Sequence, residues 1–160
     1  MHRLPPPIAT TISRKGLIML RPILLVEDNP MDVDLTKRAF AKRKLSNPVE
    51  VARDGEEALT WIDKWDAGAP APVVILLDLK MPKVSGLEVL RVLKDHPVYK
   101  SVPIVVLTTS KEDKDIDTAY ALGANSYIVK PVDFEKFMAM AEQIEMYWGA
   151  LNVPGGKTVT

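Results

Sequence analysis

Short stretches rich in apolar residues recur five times along the chain, and each is followed by a stretch with the signals of a helix. These stretches cover residues 22–26, 49–52, 74–77, 103–107 and 125–129. The runs at 22–26, 74–77 and 103–107 are continuously apolar, which is typical of strands that are buried on both faces of a parallel sheet. The alternation predicts an α/β fold in which a doubly wound, five-stranded parallel sheet is covered by five helices.

The helix boundaries follow from capping residues and helix breakers. Asp54 and Ser85 each precede a helix and have a glutamate three residues later, as in a capping box. Pro30 suits an early helical position, and Gly123 suits a left-handed stop after the fourth helix. The predicted helices cover about residues 31–44, 54–66, 85–96, 111–122 and 134–148.

The two ends of the chain differ from the five repeated units between them. Residues 1–20 contain three consecutive prolines but no long apolar run, so we expect a disordered extension and no signal peptide. A partner-binding arm is the alternative for this extension. Residues 21–149 are expected to form a single domain, and residues 150–160 a loose tail.

Composition excludes several classes of function. The chain has 21 Lys and Arg residues against 21 Asp and Glu residues, so its charge gives no reason to expect nucleic acid or an anionic membrane as a partner. It has no cysteine, which excludes disulfides and thiolate chemistry and agrees with a cytoplasmic location. No apolar run approaches the roughly 20 residues that span a bilayer.

Polar residues suited to phosphoryl chemistry follow four of the predicted strands. Glu27 and Asp28 follow the first strand, Asp78 the third, Thr108 the fourth and Lys130 the fifth. Because the carboxyl ends of parallel strands lie at one edge of the sheet, we expect these side chains to converge. Carboxylates that converge repel one another unless a cation joins them, and their hard oxygen atoms suit Mg²⁺ or Mn²⁺.

These residue types predict an aspartyl-phosphate site. Asp28 and Asp78 are the expected direct metal ligands, and Glu27 is expected to hold a metal-bound water. Asp78 is the expected nucleophile, which becomes an acyl phosphate. Lys130 is expected to pair with one phosphoryl oxygen, and Thr108 to donate a hydrogen bond to another.

The motifs around these residues resemble the receiver domain of two-component response regulators. The matching stretches are residues 23–29, residues 77–82 with 85–86, residues 107–109 and residues 129–131, and they extend over about residues 23–147. The resemblance implies a flavodoxin-like sheet with strand order 2-1-3-4-5. It also implies a switch that is loaded by the phosphohistidine of a sensor histidine kinase.

The resemblance gives each candidate residue a place in the family pattern. It implies that Asp78 is the phosphoacceptor, that Glu27 and Asp28 are the acidic pair, that Thr108 is the switch hydroxyl and that Lys130 is the invariant lysine. No residue that the family pattern requires is missing.

Three further positions acquire expected roles from the same resemblance. The backbone carbonyl of Lys80 takes the third protein position on the metal, and Tyr127 takes the place of the aromatic side chain that moves inward when Thr108 moves. Lys80 and Ser110 flank the phosphorylation site and are expected to tune the lifetime of the phosphate. With no output domain expected, the signal should leave through contacts or dimerisation at the face of the fourth helix, fifth strand and fifth helix.

A narrower likeness is to the stand-alone regulators that accompany bacterial and cyanobacterial phytochromes. It rests on residues 26–33, residues 105–110 and the aromatic pair Tyr147 and Trp148. The likeness implies that the phosphate donor is a red-light-sensing histidine kinase, such as a bacteriophytochrome. It also implies a homodimer.

Two other functions suit a similar sheet. A phosphatase or phosphotransferase with an aspartyl nucleophile needs a second acid two residues after the nucleophile, where this chain has Lys80. We therefore expect no enzyme that acts on other substrates. A flavin-binding electron carrier needs a phosphate-binding loop rich in glycine and hydroxyl groups after the first strand, and the acidic pair Glu27 and Asp28 would repel a flavin phosphate.

Overall fold

A parallel sheet of five strands forms the centre of the fold. The structure is a computed structural model, which describes residues 10–12, 18–130 and 133–148. Its strands are β1 (Thr10–Ile12), β2 (Ile18–Leu20), β3 (Ile23–Val26), β4 (Val49–Ala52), β5 (Val74–Leu77), β6 (Ile104–Thr108) and β7 (Ser126–Val129). The central sheet has the order β4-β3-β5-β6-β7, with every neighbouring pair parallel. Counted within this sheet, the order is 2-1-3-4-5, which confirms the predicted α/β fold.

Helices cover both faces of the sheet. They are α1 (Pro30–Lys42), α2 (Gly55–Asp66), α3 (Gly86–Asp95), α4 (Asp113–Ala121) and α5 (Phe134–Trp148). Apolar side chains of α1 and α5 pack on one face, and those of α2, α3 and α4 pack on the other. Within the described ranges, none of these helices is long and apolar enough to cross a bilayer.

The three central strands explain why the polar residues gather at one edge. All residues of β3, β5 and β6 are buried, whereas β7 and most of β4 are half-buried. An unpaired carboxylate is costly to bury among such apolar strands. The first acidic residues after β3 and β5, Glu27 and Asp78, therefore lie just beyond the strands, at the carboxyl edge of the sheet.

A short hairpin precedes the central sheet, in the stretch that we expected to be disordered. β1 pairs with β2 in antiparallel register, with Thr10 opposite Leu20 and Ile12 opposite Ile18. The β-branched residues of both strands favour extended backbone. The structure thus differs from the expectation for these six residues. Residues 1–9 and 13–17 of the extension and the predicted tail at 150–160 lie outside the described residues.

Capping side chains fix the starts of three helices close to the carboxyl edge. The side chains of Asp54 and Ser85 each accept the backbone N–H three residues later, which confirms them as caps. Asn29 caps α1, because its Oδ1 accepts the N–H of Met31, two residues later, at 2.9 Å. Gly123 follows α4 with a φ of 109°, which confirms the predicted left-handed stop.

The first residue of α3 packs directly against the backbone that carries Asp78. The N–H of Gly86 donates to the carbonyl of Leu79 at 3.0 Å. A Cβ atom at position 86 would overlap the carbonyl oxygen of Asp78 and lie 2.6 Å from the Cα of Leu79. These neighbours are backbone atoms that cannot move without displacing the end of β5. A glycine at this position therefore sets how closely α3 approaches Asp78.

We predict that Gly86→Ala lowers the free energy of unfolding by about 3 kcal/mol, because the added methyl group overpacks a backbone contact. This result would oppose intrinsic propensity, since alanine is favoured over glycine inside a helix by about 1 kcal/mol. Urea unfolding followed by circular dichroism measures the change.

Gly68 provides the matched control for this substitution. Its φ is 111°, but apart from its two neighbours in the chain, no heavy atom of the described residues lies within 4 Å of the Cβ that alanine would add. Gly68→Ala should therefore cost only the backbone strain, about 1 kcal/mol. An equal or smaller loss of stability in Gly86→Ala than in Gly68→Ala would contradict the proposed overlap.

Candidate functional site

Backbone hydrogen bonds extend the sheet past the ends of the strands and hold the candidate site residues. The N–H of Glu27 donates to the carbonyl of Ala52 at 2.9 Å, and the N–H of Asp78 donates to the last residue of β3 at 3.1 Å. The N–H of Lys130 donates to the carbonyl of Thr108 at 2.7 Å. These bonds fix the backbone from which each side chain projects over the edge.

The ammonium group of Lys130 lies at the centre of the site. Its Nζ is 2.5 Å from Oε1 of Glu27, 2.7 Å from Oδ2 of Asp32 and 3.1 Å from Oδ2 of Asp78. The side chain of Lys130 is 8% exposed. One nearly buried positive charge thus neutralises carboxylates from two strand ends and one helix.

Sequence reasoning missed Asp32. The candidates were chosen among residues that follow strands, whereas Asp32 lies in the first turn of α1. Its position in the first turn of the helix that directly follows Glu27 and Asp28 is the signal that would have placed it near the edge. The structure adds this fourth carboxylate to the predicted set.

Three of the predicted carboxylates form a group that suits a divalent cation. Glu27, Asp28 and Asp78 each offer an oxygen atom, and these atoms lie within 4.8 Å of one another. Glu27 and Asp78 are buried, whereas Asp28 is exposed to solvent. The backbone N–H of Lys80 donates to Oδ1 of Asp78 at 3.2 Å, so its main chain lies beside the same carboxylate. Clustered oxygen donors open to water on one side fit Mg²⁺ or Mn²⁺, which keep several water ligands.

The electrostatics of the site follow from burial and from the lysine. Burial raises the pKa of Glu27 to about 7, against the hydrogen bond from Lys130, which lowers it. Burial lowers the pKa of Lys130, but hydrogen bonds to Asp32 and Glu27 and the charge of Asp78 outweigh it, and the net pKa is raised. The raised pKa keeps Lys130 charged at neutral pH, and this adjacent positive charge opposes the effect of burial on Glu27.

Thr108, Ser110 and Tyr127 form a second group next to the carboxylates. Thr108 is fully buried at the end of β6, and its Oγ1 accepts the backbone N–H of Ser110 at 3.5 Å. The hydroxyl of Tyr127 donates to the carbonyl of Ser110 at 2.9 Å. Burial raises the pKa of this hydroxyl. The half-buried ring thus lies against the loop that carries Thr108.

The side chain of Ser110 belongs to the start of α4. Its hydroxyl donates to Oδ2 of Asp115 at 2.5 Å and accepts the N–H of Glu112 at 3.3 Å. These bonds hold the residues before Asp113, where α4 begins two residues later than predicted. Any influence of Ser110 on Asp78 must therefore pass through the position of this loop.

Comparison with known proteins assigns the part of the chain that forms the sheet and the site to one protein family. The profile of the response regulator receiver domain matches residues 23–142. The chain is 42% identical over 131 residues to the probable methanogenesis regulatory protein FilR2 of Methanothrix harundinacea, which covers 81% of this chain and 84% of the relative.

Three solved structures share the fold over most of their length. The phosphorylated cyanobacterial phytochrome response regulator RcpA matches with a TM-score of 0.75 and 38% identity, covering 81% of this chain and 94% of that one. The Mn²⁺-bound response regulator Rcp1 matches with a TM-score of 0.73 and 33% identity, covering 84% and 99%. The bacteriophytochrome response regulator RtBRR matches with a TM-score of 0.70 and 46% identity, covering 86% of each chain. This chain therefore belongs to the receiver domains of response regulators.

Proposed function

We propose that Asp78 of this response regulator accepts a phosphoryl group from the phosphohistidine of a sensor histidine kinase. The observation that carries the proposal is the position of the Asp78 carboxylate. It contacts the ammonium of Lys130, and together with Glu27 and Asp28 it offers oxygen atoms close enough to bind one cation. A nucleophile, a fixed positive charge and a metal-binding group in one place are what phosphoryl transfer to a carboxylate needs.

The site residues have defined tasks in the proposed transfer. A carboxylate oxygen of Asp78 attacks phosphorus, the bond from phosphorus to the kinase imidazole breaks, and the imidazole leaves with the electron pair and takes up a proton. Lys130 redirects one N–H hydrogen bond from Asp78 to a phosphoryl oxygen, and the hydroxyl of Thr108 donates a hydrogen bond to another. Asp28, Asp78 and the carbonyl of Lys80 would hold the divalent cation directly.

Glu27 completes the metal-binding group from the buried side. One of its oxygens is occupied by Lys130 and the other accepts the N–H of Asn29 at 3.2 Å, which suits contact with the cation through a water molecule. When bound, the cation supplies the positive charge that offsets repulsion between an anionic donor and the carboxylates.

Phosphorylation would be transmitted through the loop after β6. The phosphoryl group adds about −1.5 to −2 charges near neutral pH. If Thr108 turns toward it, the N–H of Ser110 loses its acceptor and the start of α4 is free to shift. Tyr127 already contacts this loop. Its bond to Ser110 would then stabilise the shifted loop, so that the population of the active conformation rises.

The face formed by α4, β7 and α5 is the proposed output surface and homodimer contact. Tyr120 on α4 and Phe134 and Met146 on α5 are large apolar residues exposed to solvent. Exposed apolar residues of this kind support a protein partner. The side chains of Tyr147 and Trp148, which suggested the same surface, lie outside the described residues.

A phytochrome-type histidine kinase in the cytoplasm is the proposed phosphate donor. The names of RcpA and RtBRR associate those relatives with a phytochrome and a bacteriophytochrome. A balanced charge supports protein partners over nucleic acid. Lys80, in place of an acid two residues after Asp78, argues against a phosphatase or phosphotransferase that acts on separate substrates.

The proposal predicts that a small phosphodonor such as phosphoramidate adds one phosphoryl group per chain in the presence of Mg²⁺. Asp78→Asn should abolish the adduct, because the amide is not a nucleophile, and chelation of Mg²⁺ should nearly do so. Intact-mass spectrometry measures the adduct, and the exposed Asp63→Asn on α2 is the control that should react as the wild type does. Adduct formation by Asp78→Asn equal to that of the wild type would refute the assignment.

The lifetime of the phosphate tests the role of Ser110. We predict that Ser110→Ala shortens it about fivefold, because loss of a side-chain hydrogen bond costs about 1 kcal/mol and loosens the loop between β6 and α4. Decay of the adduct after removal of the donor measures the lifetime, with Ser101→Ala, in an exposed turn, as control. Lys80→Ala should likewise alter the lifetime more than loading. Equal effects on lifetime and loading would count against this role.

A further inference from the structure

The contacts of Lys130 leave a question about the phosphorylated state. An ammonium group has three N–H donors. In the structure each of them has a carboxylate acceptor, from Glu27, Asp32 and Asp78. A phosphoryl oxygen can therefore gain a hydrogen bond from Lys130 only if one of these three acceptors gives up its own.

Two overlapping sets of carboxylates indicate which contact Lys130 retains when Asp78 is phosphorylated. The set that suits a divalent cation contains Glu27, Asp28 and Asp78. The set around Lys130 contains Glu27, Asp32 and Asp78. Glu27 and Asp78 thus belong to both sets, whereas Asp32 belongs only to the set around the lysine. A divalent cation would draw on Glu27 and Asp78, and phosphorylation would occupy an oxygen of Asp78.

Asp32 is held by contacts of its own backbone at the start of α1, in addition to its contact with Lys130. Its N–H donates to Oδ1 of the cap residue Asn29 at 3.4 Å, and its carbonyl accepts the hydroxyl of the buried Thr36 at 2.7 Å. Its side chain is 23% exposed, so its charge remains partly solvated when the other groups rearrange. The Asp32 carboxylate is therefore a fixed anchor from a different element than those of Glu27 and Asp78.

We infer that Asp32 is a positioning residue, which holds the Lys130 ammonium in place while Asp78 is phosphorylated. One N–H of Lys130 remains bonded to Asp32. The N–H that donated to Asp78 then stays directed at the place that a phosphoryl oxygen on Asp78 would occupy. The inference rests on the proposed function and deepens it, because it names the residue that orients its fixed positive charge. Asp32 itself contacts neither the cation nor the phosphoryl group.

The test compares two substitutions of Asp32 that remove the same charge. Asp32→Ala removes the acceptor, and we expect phosphorylation by phosphoramidate at saturating Mg²⁺ to slow about tenfold, because small misplacements of reacting groups cost one to two orders of magnitude. Asp32→Asn keeps an acceptor oxygen, and its rate should stay within about threefold of the wild type. Equal rates for the two variants would show a charge effect only and would overturn the inference.

Asp34 supplies the matched control on the same helix. Its side chain is 57% exposed and pairs with Arg38 on the surface. Asp34→Ala and Asp34→Asn should both phosphorylate as the wild type does. Urea unfolding of all four variants measures whether each remains folded. If Asp32→Ala does not fold, Asp32→Asn decides: a rate within about threefold of the wild type supports the inference, and a loss of about tenfold or more overturns it.

A double-mutant cycle decides whether Asp32 acts through Lys130. In the Lys130→Met background, Asp32→Ala and Asp32→Asn should cause no further slowing, because the group that they position is gone. A further tenfold loss in that background would overturn the inference. If the wild type reacts and Asp32→Ala reacts as fast, the inference fails but the proposed function stands. If the wild type takes up no phosphoryl group, the proposed function fails and the inference falls with it.

Discussion

A single buried ammonium group, that of Lys130, holds together carboxylates that would otherwise repel one another. Glu27 follows β3, Asp78 follows β5 and Asp32 lies on α1, so the three contacts of Lys130 join separate parts of the fold. Breaking a buried ion pair leaves an uncompensated charge and is strongly destabilising. The same cluster presents the nucleophile and the metal-binding group, so what stabilises this edge also prepares its chemistry.

The sheet supplies the precision that this arrangement needs. Backbone hydrogen bonds continue one residue past β3, β5 and β7, and they fix the starting points of Glu27, Asp78 and Lys130. The close approach of Gly86 to the backbone of Asp78 adds a support from α3. Since the rigid elements determine the distances, the side chains need little rearrangement before phosphoryl transfer. The mobile element of the proposed switch is instead the loop between β6 and α4.

The sequence alone was sufficient to predict the sheet and the convergence of Glu27, Asp78 and Lys130 at its edge. Apolar runs such as Val74–Leu77 locate buried strands, and topology brings the residues that follow them to one edge. Asp32 was missed because helix starts were not searched for site residues. Two contacts could not be predicted, that of Gly86 with Asp78 and the bond from Ser110 to Asp115. They depend on how separate segments of the chain approach each other, which hydrophobic periodicity and secondary-structure propensity do not predict. The hairpin of β1 and β2 was missed because terminal position and prolines outweighed its β-branched residues.

Competition between two cations for the same carboxylates is the central claim of this account. Lys130 and a divalent cation share the carboxylates of Glu27 and Asp78, so the positive charge of Lys130 should lower the affinity of the site for the cation. Mn²⁺ affinity measured by isothermal titration calorimetry tests this directly in the wild type and in Lys130→Met, with the exposed Lys136→Met as control. The account predicts that Lys130→Met binds Mn²⁺ at least about tenfold tighter, because a unit charge within a few ångströms is removed, and that Lys136→Met binds as the wild type does. Unchanged or weaker binding by Lys130→Met would contradict it.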